Sequence, residues 1–325
     1  MKKNILCFVI YGLFAVFFNS CLESATPKLD CTVVKAIDMY PDSSYFSQIQ
    51  CMQFYNGKVY LLDSKRRDIA ILDSTLQTIE MIGRIGDGPE DFQMPLKFYM
   101  DKDTLYLLDG GSGSIKLFNN NQYITQYKLP SGLDERFAKK QNELYIPSVT
   151  DSSSILSVRI QNSNSSFEYW GELTAFESGK QTRLRNNREL LQEGNFLYAV
   201  SDNKFIVEKY DLNNKKVFEC YDFSEVELIK RNINFINSHS IENSYYVSIE
   251  DAYIERENLY LLYSTFVDSY KTNTLLKISL MPSMKMVGLY TLPNKCYRSI
   301  CVSPDNFLYA FSTDCIIEKI KLDHF

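Results

Sequence analysis

Four basic side chains, Lys180, Arg183, Arg185 and Arg188, stand among Gln, Asn and Thr in the stretch from Leu173 to Gly194 of a chain that is acidic overall. A guanidinium presents a planar fork of donors that matches a carboxylate, sulfate or phosphate two bonds at a time. These four residues are therefore the candidate ligand-binding site, and an anionic group is what they would hold. The plainer alternative is a solvated inner strand and loop whose charges pair with nearby Glu. A second long segment, Asp222 to Glu242, carries Ser224 three residues before Glu227. That spacing is a capping box and predicts a short helix. Long inserts in a compact scaffold are where function tends to reside.

Catalytic chemistry finds less support. The chain has two histidines, His239 in the second insert and His324 next to the C-terminus. Neither pairs with another His at ligand spacing, and no GxSxG-type nucleophile motif accompanies them. No catalytic residue and no metal ligand is assigned. Asp63 and Asp109 end equivalent apolar runs, a repeated position that suits the capping of turns. Beyond Cys21 lie Cys31, Cys51, Cys220, Cys296, Cys301 and Cys315, with no CxxC pair among them. A structural zinc or redox site is therefore disfavoured, and the sequence does not choose between disulfides and buried free thiols.

The elements that must position these groups are repeats. Leu105-Tyr106-Leu107-Leu108-Asp109 has relatives around Tyr60, Tyr145, Tyr198, Tyr260 and Tyr309, at successive gaps of 46, 39, 53, 62 and 49 residues. Around each copy, short β-rich runs alternate with Gly, Asn and Asp clusters, the pattern of a four-stranded antiparallel meander. A lone four-stranded sheet cannot hide both faces, whereas sheets stacked radially do, so the period predicts an all-β, six-bladed β-propeller with four-stranded antiparallel blades. The core runs are apolar at nearly every position, as a strand covered on both sides requires, and their tyrosines are expected to pack between blades.

The last repeat stops after Ile316 to Leu322, one strand short, while Cys31 to Ile37 is a strand-like run without a blade. The N-terminal strand is expected to complete the sixth blade and close the ring, which removes an open sheet edge. Between the first two repeats, Gly83 to Pro95 is rich in glycine but leads into a strand. Phosphate-cradling loops lead into a helix, so a nucleotide site is disfavoured. The stretch resembles the blade junction of NHL-type six-bladed propellers and the related, TolB-like bacterial propeller lipoproteins. In those junctions glycines turn the chain, a Phe packs between blades and a Pro starts the next inner strand. The resemblance implies the fold and leaves the function open, because such folds serve many roles.

Lys2-Lys3 followed by the 14-residue apolar run Ile5 to Phe18 forms an export signal too short to span a membrane. Ser20 before Cys21 resembles a bacterial lipoprotein signal, in which the cysteine receives lipid and becomes the new N-terminus. That resemblance implies a signal peptide over 1–20, a lipidated tether over 21–30 and the propeller over 31–325. Leu22, where Asp would mark inner-membrane retention, favours the outer membrane. Loss of Lys2 and Lys3 with the signal takes the formal charge from −5 to −7, which argues against nucleic acid and anionic lipid as partners.

The sequence thus predicts an exported, lipid-anchored binding or interaction module at the bacterial cell envelope, with a protein, peptide or glycan ligand. The membrane is engaged through the lipid only, and no cofactor is expected. The alternative is a calcium-dependent propeller hydrolase, lactonase or lyase, with Asp, Glu and Asn from different blades converging on the central channel.

Overall fold

The computed structural model describes residues 26–130, 136–161, 164–241, 244–267, 269–294 and 296–323. The expected signal, Cys21 and His324 lie outside them. Six sheets form, each running from an inner strand at the ring axis to an outer one. Blade one comprises Ile49–Tyr55, Lys58–Asp63, Asp68–Asp73 and Thr78–Ile82, and blade two Pro95–Asp101, Thr104–Asp109, Ser114–Asn119 and Gln122–Lys128. Blade three comprises Ala138–Lys140, Glu143–Pro147, Ile155–Gln161 and Asn164–Trp170, and blade four Arg188–Glu193, Phe196–Ser201, Ile206–Asp211 and Lys216–Asp222. Blade five comprises Ile249–Glu255, Asn258–Thr265, Lys271–Ser279 and Lys285–Thr291. Blade six takes Tyr297–Val302, Phe307–Ser312 and Ile317–Leu322 from the end of the chain and Cys31–Ile37 from its start. The fold is the expected six-bladed β-propeller.

Closure follows the expectation that the N-terminal run completes the sixth blade. Cys31–Ile37 pairs antiparallel with Ile317–Leu322, Cys31 opposite Leu322 and Ile37 opposite Ile317. Just before it, Lys28 and Leu29 pair in parallel with Leu289 and Tyr290, adding a short edge strand to blade five. The start of the chain is therefore stitched to two blades.

Each blade–blade interface holds one apolar cluster, and each repeated tyrosine sits in the cluster between its own blade and the next. Tyr60 packs with Phe98, Leu105 and Leu107 of blade two; Tyr198 packs with Leu259 and Leu261 of blade five; Tyr309 packs with Leu61 and Ala70 of blade one. Their neighbours on the same strands point the other way, as Leu61 does toward blade six while Tyr60 and Leu62 face blade two. Period-two alternation with an apolar neighbour on each side leaves no water-facing side, so the second strands read as continuous apolar runs. The tyrosine ring is buried while its hydroxyl stays at a polar edge; Tyr309 Oη donates to Ser74 O at 3.3 Å.

Turn chemistry fits the meander. Asn56–Gly57, Lys102–Asp103, Asn120–Asn121 and Arg256–Glu257 are pairs of consecutive residues with positive φ, the turn that matches strand twist in two-residue hairpins. The junction at 83–95 behaves as its sequence implied. Gly83 has φ +84, and a Cβ there would lie 2.4 Å from the Phe92 ring. Phe92 is buried between blades one and two, and Pro95 begins the next inner strand. Asp63 and Asp109 are wholly buried turn caps. Asp63 accepts from Ser47 N, Lys65 N and Arg66 N at 3.1–3.2 Å, and Asp109 from Gln93 N, Met94 N and Gly111 N at 2.8–3.2 Å. Each ties the loop that approaches an inner strand to the end of the second strand beside it.

The inserts form two helices, α1 (Gly179–Arg185) and α2 (Glu227–Ser238). The capping box at Ser224 does not form. The N-cap is Val226, without a side-chain bond, and Ser224 N instead donates to Asp222 Oδ1 at 2.8 Å. The helix is held by its buried Asn232, which donates to Tyr263 Oη at 2.7 Å and accepts from Phe266 N at 2.7 Å. The six cysteines after Cys21 all carry free thiols, so no disulfide staples blade six.

Deleting residues 31–37 should therefore bare the edge of Ile317–Leu322 and lower the melting temperature by tens of degrees or drive the chain into aggregates. A truncated protein that melts cooperatively at the full-length temperature would show that closure does not hold the ring.

Candidate functional site

On one face of the ring the inner strands begin, and their first residues frame a cavity of about 870 Å³ around the axis. The framing residues come from every blade: Gln48 and Gln50 from one, Leu96 and Lys97 from two, Arg136 from three, Asn187 and Glu189 from four, Glu250 and Asp251 from five, Arg298 from six. Beneath it the channel narrows to a second space of about 150 Å³ lined by Gln53, Tyr99, Leu191 and Tyr253 among others. Tyr253 Oη accepts from Phe54 N and donates to Phe54 O, both at 3.2 Å, strapping blade five to blade one on this narrow side.

A backbone irregularity aims several of these side chains. In blades one, two, five and six the ladder between the inner and second strands slips at the same place, between Ile49 and Cys51, Pro95 and Lys97, Ile249 and Asp251, and Tyr297 and Ser299. The extra residues at these bulges are Gln50, Leu96, Glu250 and Arg298, and all four line the cavity. A bulge leaves one residue unpaired and re-aims its side chain, and such features gather at functional rims.

The charges pair across blades. Arg136 forms a fork with Asp202, Nη1 to Oδ1 at 3.0 Å and Nη2 to Oδ2 at 3.1 Å, and lies 3.6 Å from Glu189. Lys97 of blade two reaches Glu189 of blade four as a buried ion pair. Arg298 meets Glu250 at 3.2 Å. Asp251 accepts from Ile300 N at 2.8 Å and Ser299 Oγ at 3.1 Å, joining blades five and six. Burial disfavours the Lys97 ammonium, yet Glu189 overcomes it and holds Lys97 well above its ordinary value. Burial also pushes the Asp251 carboxyl up to about 7, with the nearby Glu189 charge adding to the rise against the pull of Lys97. Burial likewise raises Glu250, partly offset by Arg298. The result is a polar, charge-lined funnel of Lys97, Arg136 and Arg298 against Glu189, Asp202, Glu250 and Asp251. It suits a ligand that exchanges hydrogen bonds and charge with the wall. Among the described residues, no three His, Cys, Asp or Glu side chains converge as metal ligands would.

The four basic residues singled out by the sequence are split. Lys180 and Arg183 on α1 are exposed. Arg185 is half-buried, its guanidinium stacked on Phe176 at 3.9 Å with Glu177 at 3.7 Å. Arg188 starts the inner strand of blade four and is buried, paired with Glu208 and donating to Tyr210 Oη at 3.1 Å and Glu172 O at 2.8 Å. Its donors are committed to the fold, so it does not join Arg183 at the surface. The insert does stand beside the funnel, since Asn187 and Glu189 immediately follow α1 and line it. The funnel charges themselves escaped sequence reasoning. The available signal was a charged or amide residue at the second or third position of inner-strand runs, as in Ile49-Gln50, Leu96-Lys97 and Glu250-Asp251.

No family model matches the chain, and no curated relative is similar in sequence. Solved structures share the fold at low identity. A protein from Bacteroides fragilis NCTC 9343 described as exported aligns at 12% identity over 90% of this chain and 96% of its own, with a TM-score of 0.61. A member of the DUF4221 family from Bacteroides vulgatus ATCC 8482 aligns at 13% identity over 92% of this chain and 100% of its own, also with a TM-score of 0.61. A streptogramin B lyase aligns at 11% identity over 90% and 98%, with a TM-score of 0.52.

Two outcomes test the electrostatics. Asp251 holds a proton in the folded chain at pH values where an unfolded aspartate has lost it, so its contribution to stability is complete below pH ~4 and lost as pH rises through about 7. Asp251→Asn should therefore fall less in melting temperature than wild type between those pH values and be the more stable protein at pH 8; parallel melting curves would contradict this. Arg188→Ala should cost about 3–5 kcal/mol by stranding Glu208, whereas Arg183→Ala should change stability by under about 0.5 kcal/mol, both read from denaturant unfolding.

Proposed function

We propose that this protein is an exported binding module at the bacterial cell envelope, tethered through lipidated Cys21 in the outer membrane, and that the funnel holds its ligand. The observation that carries the reading is the funnel itself. Residues from all six blades, four of them placed by bulges at matching positions, converge on one open cavity of about 870 Å³. A packing requirement would have filled this space with apolar side chains, as it does at every blade interface. Concave sites with a few convergent polar groups are where ligands bind. The lysine-led apolar segment before Cys21 and the exported Bacteroides structural neighbour support the envelope address. Attachment by the N-terminus leaves the funnel face open to a protein, peptide or glycan segment, and the acidic balance of the chain speaks against nucleic acid.

A photo-crosslinking residue placed at Asn187 or Thr313, on the funnel wall, should yield a discrete adduct in intact cells. The same residue at Phe218, exposed on the outer strand of blade four, should yield none. Adducts from Phe218 alone would move recognition to the rim of the propeller and sink the funnel reading.

A further inference from the structure

A third cavity, of about 490 Å³, lies beside the funnel between the end of α1, the face of α2 and the start of the third strand of blade four. Its wall contains two cations with little to hold. Arg185 makes no hydrogen bond through its guanidinium among the described residues. Its Nε is buried without a partner, and its nearest carboxylate, Glu177, is 3.7 Å away and 76% exposed. Lys204 donates to Thr174 Oγ1 and lies over the same Phe176 ring as Arg185, 5.2 Å from its centre. Burial, then the charge of Arg188, pushes the Lys204 ammonium down to about 8, with Arg185 adding to the fall against the pull of Glu208. Two cations gathered on one ring repel each other, and an anion placed between them would relieve that repulsion. Of the carboxylates nearby, Glu208 pairs with Arg188 and also pulls on Lys204, while Asp222 lines the cavity and accepts from Ser224 N through Oδ1.

The rest of the wall adds a different chemistry. Asn203 donates through Nδ2 to Arg185 O at 3.1 Å, while its Oδ1 is buried with no donor. An orphaned buried acceptor is costly, and a hydroxyl would satisfy it. Half-buried Tyr245 and Tyr246 and the apolar Ile233 and Ile236 also line it. Aromatic faces beside hydrogen-bonding groups suit a sugar ring.

We infer that this cavity is a second binding site, distinct from the funnel, for a sugar acid whose carboxylate lies between Arg185 and Lys204 and whose hydroxyl donates to Asn203. A bare anion answers the cations but not Asn203, and a neutral sugar answers Asn203 but not the cations.

Calorimetric titration of the exported chain, residues 22–325, with glucuronate and galacturonate tests this, with glucose and inorganic sulfate as comparators. At least one uronate should bind about tenfold or more tightly than glucose or sulfate. Lys204→Gln and Arg185→Gln should each weaken it about tenfold or more, the loss of one charge-assisted contact. Arg298→Glu, in the funnel, should leave it unchanged, which separates this site from the proposed one. Melting temperatures of the variants establish that each is folded. Absence of uronate binding at millimolar concentration, equal binding of glucose or sulfate, or indifference to both substitutions in folded variants would overturn the assignment.

Discussion

Residues 31–37 hydrogen-bond to residues 317–322, and the ring exists because of that pairing. Every other blade is built on a local meander of four strands that follow one another in the chain, but a radial stack of such sheets ends in two bare faces unless its ends meet. The contact joins the two ends of the sequence, so its formation carries the largest loop-closure cost in the fold. Each backbone bond returns only about 1 kcal/mol net. The larger return is apolar: once the first strand is in place, Ile317 and Tyr309 of blade six pack with Val59 and Leu61 of blade one, and Ile320 and Leu322 with Tyr260 and Leu275 of blade five. The parallel pairing of Lys28 and Leu29 with blade five extends the same seam.

Closure fixes six inner strands side by side, and the site follows from what those strands do at their starts. The blade interfaces demand apolar side chains pointing sideways. The axis makes no such demand, because six strands around a ring leave a central space that side chains do not fill. Bulges at matching positions in four blades then turn Gln50, Leu96, Glu250 and Arg298 into that space. The ion pairs of Lys97, Arg136 and Arg298 with acids of other blades keep the wall polar while answering those three cations, which a partly buried cavity requires.

Arginines in this chain divide by burial more than by spacing. Arg188 and Arg185 are three residues apart and looked equivalent in the sequence. Arg188 opens a strand against Glu208 and Tyr210 and belongs to the fold. Arg185 ends a seven-residue helix and has its guanidinium stacked on a ring, with Glu177 at 3.7 Å and its Nε without a partner among the described residues. The cation that completes the smaller cavity, Lys204, lies in the turn after Ser201, far from the basic run along the chain.

The sequence by itself determined the blade count, the strand-by-strand period, the placement of the repeated tyrosines, the junction at Gly83, Phe92 and Pro95, and the closing strand. These are legible because burial on both faces writes itself into a period of apolar residues, and because hairpin turns and close approaches demand particular residues. The structure alone decided the site. Lys97 and Glu189 are ninety-two positions apart, and Arg136 and Asp202 sixty-six, so no local pattern could pair them. The bulges that aim the funnel residues are a property of two strands in register, and one strand's sequence does not record where its partner slips. The same holds for the failed capping box: Ser224 and Glu227 have the right spacing, but Asp222 takes the Ser224 amide and the buried Asn232 anchors the helix from its middle. Local chemistry wrote the repeats, and only the closed ring could choose which charges meet at its centre.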